Sequence, residues 1–585
     1  MSLAFLVGCS SGGDTAGSLN VPDRLVFVTQ PEGGTVGVPL AVEVAIVDRS
    51  GRVVRGATGM VSIELVAVDS KAKMLDVLSV STVPAKGGRA WFNSLTVDHP
   101  VPRCLLRASA LDYTWVRTKE FRIEPPPRNV ILMVADGWGY KHIEATEKYV
   151  GKPPVYASWS KYPMSTWDLD TQVANGKVGY DPTKAWSNMA YLVGAATESA
   201  AAATAMYTGQ KTDALNISTS AGDRSRLLTL GEFLAVRGIS TGAVSSVPIN
   251  HATPAAWIAH NDDRWNYYAI ADEAFFGDPN TTGNPSKHTL YSGGRGVTLP
   301  GPSLLIGGGH PQWSKGSYIN QSQLAELRRR SAQPGGWSLV ERINGNKKAA
   351  DRLMAAARDP KTERLCGLFG GVFGNIELRG AKGLGHDPEN PTLVEMTKAA
   401  LTFMERKQDG FALVVEGGAV DWGSHSNAMD AVIGEMMGFD AAVRVVSDWV
   451  DDSTNKSSWG NTLVIVTGDH ECGMPTSGFL VPPDAPFGEI SDRTLSLEKP
   501  FKLSGNPSGL RASWEDVNNN GEIDLGSEKV YWVWHTSGHS NSLIPLYAKG
   551  VGSDALAARA VGADPVRGKY VDNTDVFHVI KGIYR

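Results

Sequence analysis

The chain is poor in cysteine, in net charge and in long apolar runs. Its 585 residues include four cysteines, Cys9, Cys104, Cys366 and Cys472. Usage this sparse neither requires nor forbids a Cys366–Cys472 bridge. The formal net charge is −5, which gives no electrostatic reason for binding nucleic acid or an acidic membrane. Beyond the N-terminus no apolar run is long enough to span a bilayer. Basic residues are also missing from the start, where no Lys or Arg precedes Arg24. Leu6-Val7-Gly8-Cys9 nevertheless reads as a bacterial lipoprotein cleavage box closing a secretory signal. It predicts an exported protein, periplasmic or on the cell surface of a bacterium, anchored through lipid on Cys9.

What is present is a globular composition, with 42% hydrophobic and 20% charged residues. The length exceeds one ordinary core and predicts at least two domains. Residues 1–20 read as signal remnant and a Ser/Gly-rich tether. Over residues 21–125, alternating segments such as Leu25–Val28, Leu40–Ile46, Val61–Val66 and Arg89–Leu95 predict an all-β immunoglobulin-like sandwich. Pro125-Pro126-Pro127 is a stiff boundary. From residue 128 to 585 the pattern changes. Continuous apolar runs at 129–135, 242–247, 411–415 and 462–467 alternate with helical patterns such as Leu227–Val236 and Leu393–Arg406. This predicts an α/β domain, a doubly wound and mainly parallel sheet between helices.

Chemistry in such a sheet sits beyond the carboxyl ends of its strands. Metal-ligating residue types fall there: Asp136 after the first run, His251 and Thr253 after the second, Glu416 at the end of the third, Asp469 and His470 after the fourth. Asp421 and His425 follow Glu416 at a spacing that shares one helical face. His539 lies in Gly538-His539-Ser540 near the C-terminus. Any one of these alone is as well explained by a helix cap or a core histidine. Together they point to metals, with zinc suited to mixed His and carboxylate sets and magnesium to oxygen. A second segment, Thr197-Glu198-Ser199 followed by four alanines, predicts a helix with Ser199 at its N-terminus. There backbone amides favour an alkoxide and a phosphate.

Asp136-Gly137-Trp138-Gly139, Thr197-Glu198-Ser199-Ala200-Ala201, His251-Ala252-Thr253-Pro254, Glu416-Gly417-Gly418-Ala419-Val420-Asp421 and Thr467-Gly468-Asp469-His470 occur in the order found in the alkaline phosphatase family, which this chain resembles from about 128 to 585. The resemblance implies hydrolysis of small phosphate monoesters, two zinc ions and one magnesium ion, and often a homodimer. It implies that Ser199 is the nucleophile and passes through a phosphoserine. Asp421, His425 and His539 match one zinc site, Asp136, Asp469 and His470 the second, and Asp136, Thr253 and Glu416 the magnesium site. Arg264 matches the residue that grips phosphate with both arms of its fork. Three departures stand out. Glu198 occupies a position commonly Asp, and His251 and Trp422 flank the magnesium and phosphate sites where some members carry Asp and Lys. His251 and Trp422 are expected to weaken magnesium binding or alter its identity, and to speed phosphate release at the expense of affinity. His535 rivals His539 as a ligand, and His260, His310 and His386 read as structural.

Residues 516–528 resemble a calcium loop, with Asp516, Asn518, Asn520, Glu522 and Asp524 as candidate ligands, Gly521 at the turn, and Ser527 where an acid is usual. Two other readings compete with a phosphomonoesterase. One is a phosphodiesterase or sulfatase of the same superfamily, although no cysteine stands at the nucleophile position. The other is a binding protein whose β-sandwich acts while the α/β domain is inert.

Overall fold

The computed structural model describes residues 21–584 apart from 37–38, 72, 125–128, 171–178, 278–300, 317, 384, 408 and 480–483. The signal and tether, Cys9 and the triple proline lie outside the described residues. The chain divides into two compact units, Met1–Pro126 with Gly582–Arg585, and Pro127–Lys581.

The first unit holds two sheets. One has three antiparallel strands, Arg24–Phe27, Leu40–Val47 and Arg89–Leu95. The other centres on Met60–Val68 and Val101–Ala110. The alternation in sequence becomes alternation in burial: Val42, Val44, Ile63, Leu65, Phe92 and Leu106 point into a common apolar core.

The second unit is built on an eleven-stranded sheet. In chain order its strands are β1 Asn129–Ala135, β2 Ser160–Ser165, β3 Ser240–Pro248, β4 Leu304–Gly308, β5 Trp337–Glu341, β6 Arg364–Leu368, β7 Phe411–Gly417, β8 Thr462–Thr467, β9 Ile544–Gly550, β10 Gly562–Asp564 and β11 Gly568–Asp572. Their spatial order is β5-β6-β4-β3-β7-β1-β8-β9-β2-β11-β10. Pairing is parallel from β5 through β8 and turns antiparallel at β9. Every residue of β1, β7 and β8 is buried, which explains why these segments are unbroken apolar runs. The expected helices form slightly shorter than their patterns. Leu230–Ala235 starts in a capping box between Thr229 and Glu232, and Leu393–Met404 in one between Thr392 and Glu395.

The spatial order decides where chemistry can gather. Strands β3, β7, β1 and β8 are neighbours running the same way. Their carboxyl ends therefore lie side by side, although they span more than 200 residues of sequence. The order also settles the open disulfide. Cys366 on β6 and Cys472 just after β8 are separated by five strand steps, roughly 24 Å. No bridge spans that distance, and Cys104, Cys366 and Cys472 are buried free thiols.

Candidate active site

The first cluster forms where β1 and β8 end. Asp136, Asp469 and His470 offer ligand atoms within 4.8 Å of one another, and all three are fully buried. Gly137 makes the approach possible. Its φ is +77°, and a Cβ there would lie 2.7 Å from Asp421 Cα. Its amide donates to Asp469 Oδ1 at 3.1 Å.

The second cluster joins Asp421, His425, Cys472 and His539 within the same distance. Asp421 and His425 share one face of the Ala419–His425 helix, as their spacing predicts. His425 Nδ1 donates to Ser537 O at 2.5 Å and His539 Nδ1 to Thr197 O at 2.8 Å. Each imidazole is thereby oriented by a backbone carbonyl, and its Nε2 turns inward. The two Nε2 atoms lie 3.2 Å apart and face Asp421 at 3.2 and 3.5 Å. Two nitrogen lone pairs at that separation need a cation or a proton between them. His535 is turned away, bonded to Thr476 and Gly478, so His539 is the histidine that joins the cluster.

Glu416 sits between these groups and β3. Ser245 Oγ donates to its Oε2, and Thr253 Oγ1 lies 3.5 Å from Asp136 Oδ2. Asp136 Oδ1, Glu416 Oε1, Asp421 Oδ1 and Asp469 Oδ2 are buried without a hydrogen-bond partner. Such orphans are costly unless a cation satisfies them. The protonation equilibria carry the same message. Burial and the neighbouring carboxylates Asp469, Asp421 and Glu416 push the Asp136 carboxyl well up. Burial likewise raises Glu416 to about 8 and, with the Asp421 charge, Asp469 to about 6. Four acids crowded in this way fit divalent cations: Asp136, Asp469 and His470 around one, Asp421, His425 and His539 around another, and oxygens of Asp136, Thr253 and Glu416 toward a third.

Ser199 opens the fully buried helix Ser199–Thr208, whose small side chains let it pack closely against the Ala252–Ile258 helix. The residue capping that helix is Glu198, whose carboxylate accepts from the amides of Ala200 and Ala201 at 2.9 and 2.8 Å. Ser199 Oγ lies 3.1 Å from His470 Nε2. In a nucleophile–base–carboxylate chain the other ring nitrogen would carry the carboxylate. Here His470 Nδ1 has no partner, and both acids approach the Nε2 side, at 3.3 and 3.6 Å. That geometry belongs to a ligand rather than a general base.

Arg264 is buried and paired with Glu198 at 2.5 Å. The longer acid reaches the guanidinium while still capping the helix. Burial opposes the Glu198 charge, but Arg264 and the amides of Ala200, Ala201 and Leu215 outweigh it and hold its carboxyl below the ordinary value. Arg264 Nε is buried and unpaired, a free donor for an anion. Its Nη2 lies 3.4 Å from His251 Nε2. Burial and the Arg264 charge lower His251 to about 3, so this imidazole is neutral. Trp422 packs edge-on against His251 with ring centroids 5.9 Å apart.

The structure thus gathers every residue assigned to the predicted metal and phosphate sites. Ser245 was not singled out from the sequence, and Cys472 was considered only as a disulfide partner. Their roles arise from strand neighbours far apart in the chain, and no local pattern marks them. The calcium-like loop lies elsewhere. Asn518 and Asn520 converge on Asp524 Oδ2 at 2.6 and 3.3 Å, and Asp516 accepts from the Gly521 amide at 3.0 Å. Glu522 turns to the Gly505 amide instead, Lys499 sits 3.3 Å from Asp516, and Glu528 rather than Ser527 closes the loop onto Val517 and Asp524. His260, His310 and His386 each pair with a glutamate.

Comparison with known proteins agrees with this geometry. The family model for alkaline phosphatase matches residues 127–585. Alkaline phosphatase 3 of Bacillus subtilis (strain 168) is 25% identical over 486 residues, covering 77% of this chain and 87% of that protein. The alkaline phosphatase of Escherichia coli (strain K12) is 28% identical over 373 residues, 59% of this chain and 70% of its own length. Among solved structures, Thermus thermophilus alkaline phosphatase superposes with a TM-score of 0.52 at 19% identity, covering 78% of this chain and 91% of that one. A mutant of TAB5 alkaline phosphatase, with magnesium in its M3 site, gives 0.51 at 21% identity, covering 78% and 98%. Fold and site define a metal-dependent hydrolase of phosphate monoesters. The chain belongs to the alkaline phosphatase family.

Proposed function

We propose that Ser199 attacks the phosphorus of a monoester, carries the phosphoryl group as a phosphoserine, and is freed by water. The observation that carries this reading is the setting of Ser199 Oγ, 3.1 Å from His470 at the edge of a cluster with four orphaned carboxylate oxygens. The proposed ligands are two zinc ions, at Asp421, His425 and His539 and at Asp136, Asp469 and His470, and one magnesium at Asp136, Thr253 and Glu416. When bound, such ions supply positive charge to the entering and leaving oxygens of an in-line displacement. The chain's own residues do the rest. The Ser199 helix, whose Ala200 and Ala201 amides are taken by Glu198, turns the positive end of its dipole toward the phosphoryl oxygens, and Arg264, held by Glu198, receives two of them. His251 and Trp422 shape the floor beside Arg264, and their lack of charge favours release of phosphate over its retention.

A calcium ion at 516–528 is part of the same proposal, supported by the convergence of Asp516, Asn518, Asn520 and Asp524 with Glu528 at the end of the loop. So are export, a lipid anchor on Cys9, and an immunoglobulin-like N-terminal unit, which its two-sheet core supports.

The test is metal analysis of the purified protein joined to a nitrophenyl monoester assay. Zinc and magnesium should copurify, a chelator should abolish activity, and Ser199→Ala should lower kcat by at least about 1000-fold. Hydrolysis of the bis-nitrophenyl diester in preference to the monoester would favour the phosphodiesterase reading instead.

A further inference from the structure

Four aromatic side chains gather around Arg264 and His251, drawn from three separate stretches of chain. The Trp265 ring centroid lies 5.1 Å from the Arg264 guanidinium carbon. Tyr267 meets Trp265 edge-on at 6.0 Å, stacks parallel to His251 at 6.4 Å, and packs on Tyr318 at 4.7 Å. Trp422 meets His251 edge-on at 5.9 Å. The core does not need all of this surface. Trp265 is 58% exposed, and Tyr267, Tyr318 and Trp422 are each partly open to solvent. Rigidity at Arg264 is already supplied by Glu198 and by the Leu215 carbonyl that accepts from the Arg264 amide at 2.9 Å. An exposed indole beside a buried guanidinium with a free donor is therefore available to the ligand that the guanidinium holds.

We propose that Trp265, Tyr267, Tyr318 and Trp422 form a leaving-group subsite that selects phosphate monoesters whose leaving group carries an aromatic ring, aryl or nucleoside. The inference rests on Arg264 as the phosphate grip. With the phosphoryl group on Arg264, the ester oxygen and the group beyond it extend toward the rim, where a flat π-system stacks on an indole or phenol face. A small aliphatic alcohol has no face to offer there.

Competitive inhibition by non-hydrolysable phosphonates tests this without interference from leaving-group acidity. Phenylphosphonate, adenosine 5′-phosphonate and methylphosphonate would be compared in the metal-loaded protein, with inorganic phosphate as the reference ligand that has no leaving group. Wild type should bind an aromatic phosphonate about tenfold more tightly than methylphosphonate, the range of one aromatic stack. Trp265→Ala should bring that ratio close to one, and Trp265→Phe should keep most of it. A preference for the phenyl compound alone places the ring directly on the ester oxygen, and one for the adenosine compound alone places it a sugar's length away. Either supports the subsite. If phosphate inhibits but wild type shows no aromatic preference, or if Trp265→Ala keeps the preference, the subsite is overturned while the Arg264 assignment stands. If phosphate itself fails to inhibit, the assignment beneath it falls as well.

Discussion

At the scale of single residues, Glu198 shows how a departure from a familiar pattern is absorbed. An acid one methylene longer than the usual Asp caps the Ser199 helix through two amides, accepts a third from Leu215, and still meets Arg264. One carboxylate thereby couples the nucleophile's helix to the phosphate grip. Removing its charge should loosen the grip more than the helix, because a glutamine oxygen still accepts from the amides. Glu198→Gln is expected to raise KM and the phosphate inhibition constant about tenfold, with a smaller fall in kcat. Steady-state kinetics would show this, and an unchanged KM would separate Glu198 from phosphate binding. From sequence, His539 could be assigned only through the family resemblance, but the other proposed metal-site residues were legible as candidates because each follows an apolar run or shares a helical face with another. The reach of Glu198 was not, since it depends on where residue 264 returns in space.

At the scale of elements, the site exists because β3, β7, β1 and β8 end together. The runs and their type could be read from apolar continuity. Their spatial order could not, and that order is what brings Ser245 to Glu416, Cys472 to Asp421, and keeps Cys366 from Cys472. The segment that delivers Arg264 has its own anchor. His260 donates through Nδ1 to Glu273 and through Nε2 to the Leu227 carbonyl, with Glu232 at 3.5 Å and Arg226 also paired to Glu273. Burial opposes its charge, but the two glutamates prevail and raise His260 to about 10. A histidine whose folded pKa is raised contributes stability that is fully present below its unfolded pKa, about 6.5, and is lost as pH rises through the folded value. His260→Gln should therefore cost on the order of 3 kcal/mol at pH 6 and progressively less toward pH 10. Denaturant titrations of both proteins across that range measure it, and a cost independent of pH would show that His260 is neutral.

At the scale of the whole molecule, two compact units divide the chain. All the residues assigned to catalysis, metals and phosphate lie in the second, the part matched by the alkaline phosphatase family. The sequence texture changes near residue 125, because alternating half-buried strands and continuous buried strands leave different patterns. The first unit contributes a packed apolar core and, among the described residues, none of the proposed ligands. On the proposed function, turnover passes through one covalent bond at Ser199. The direct measurement is acid quenching of metal-loaded protein during turnover of a monoester at mildly acidic pH, followed by tryptic digestion and mass spectrometry of the peptide spanning residues 185–211. One added phosphoryl group is expected on Ser199, absent from Ser199→Ala and lost on return to alkaline pH. Full turnover with an unmodified Ser199, or a phosphoryl group on another residue, would contradict it.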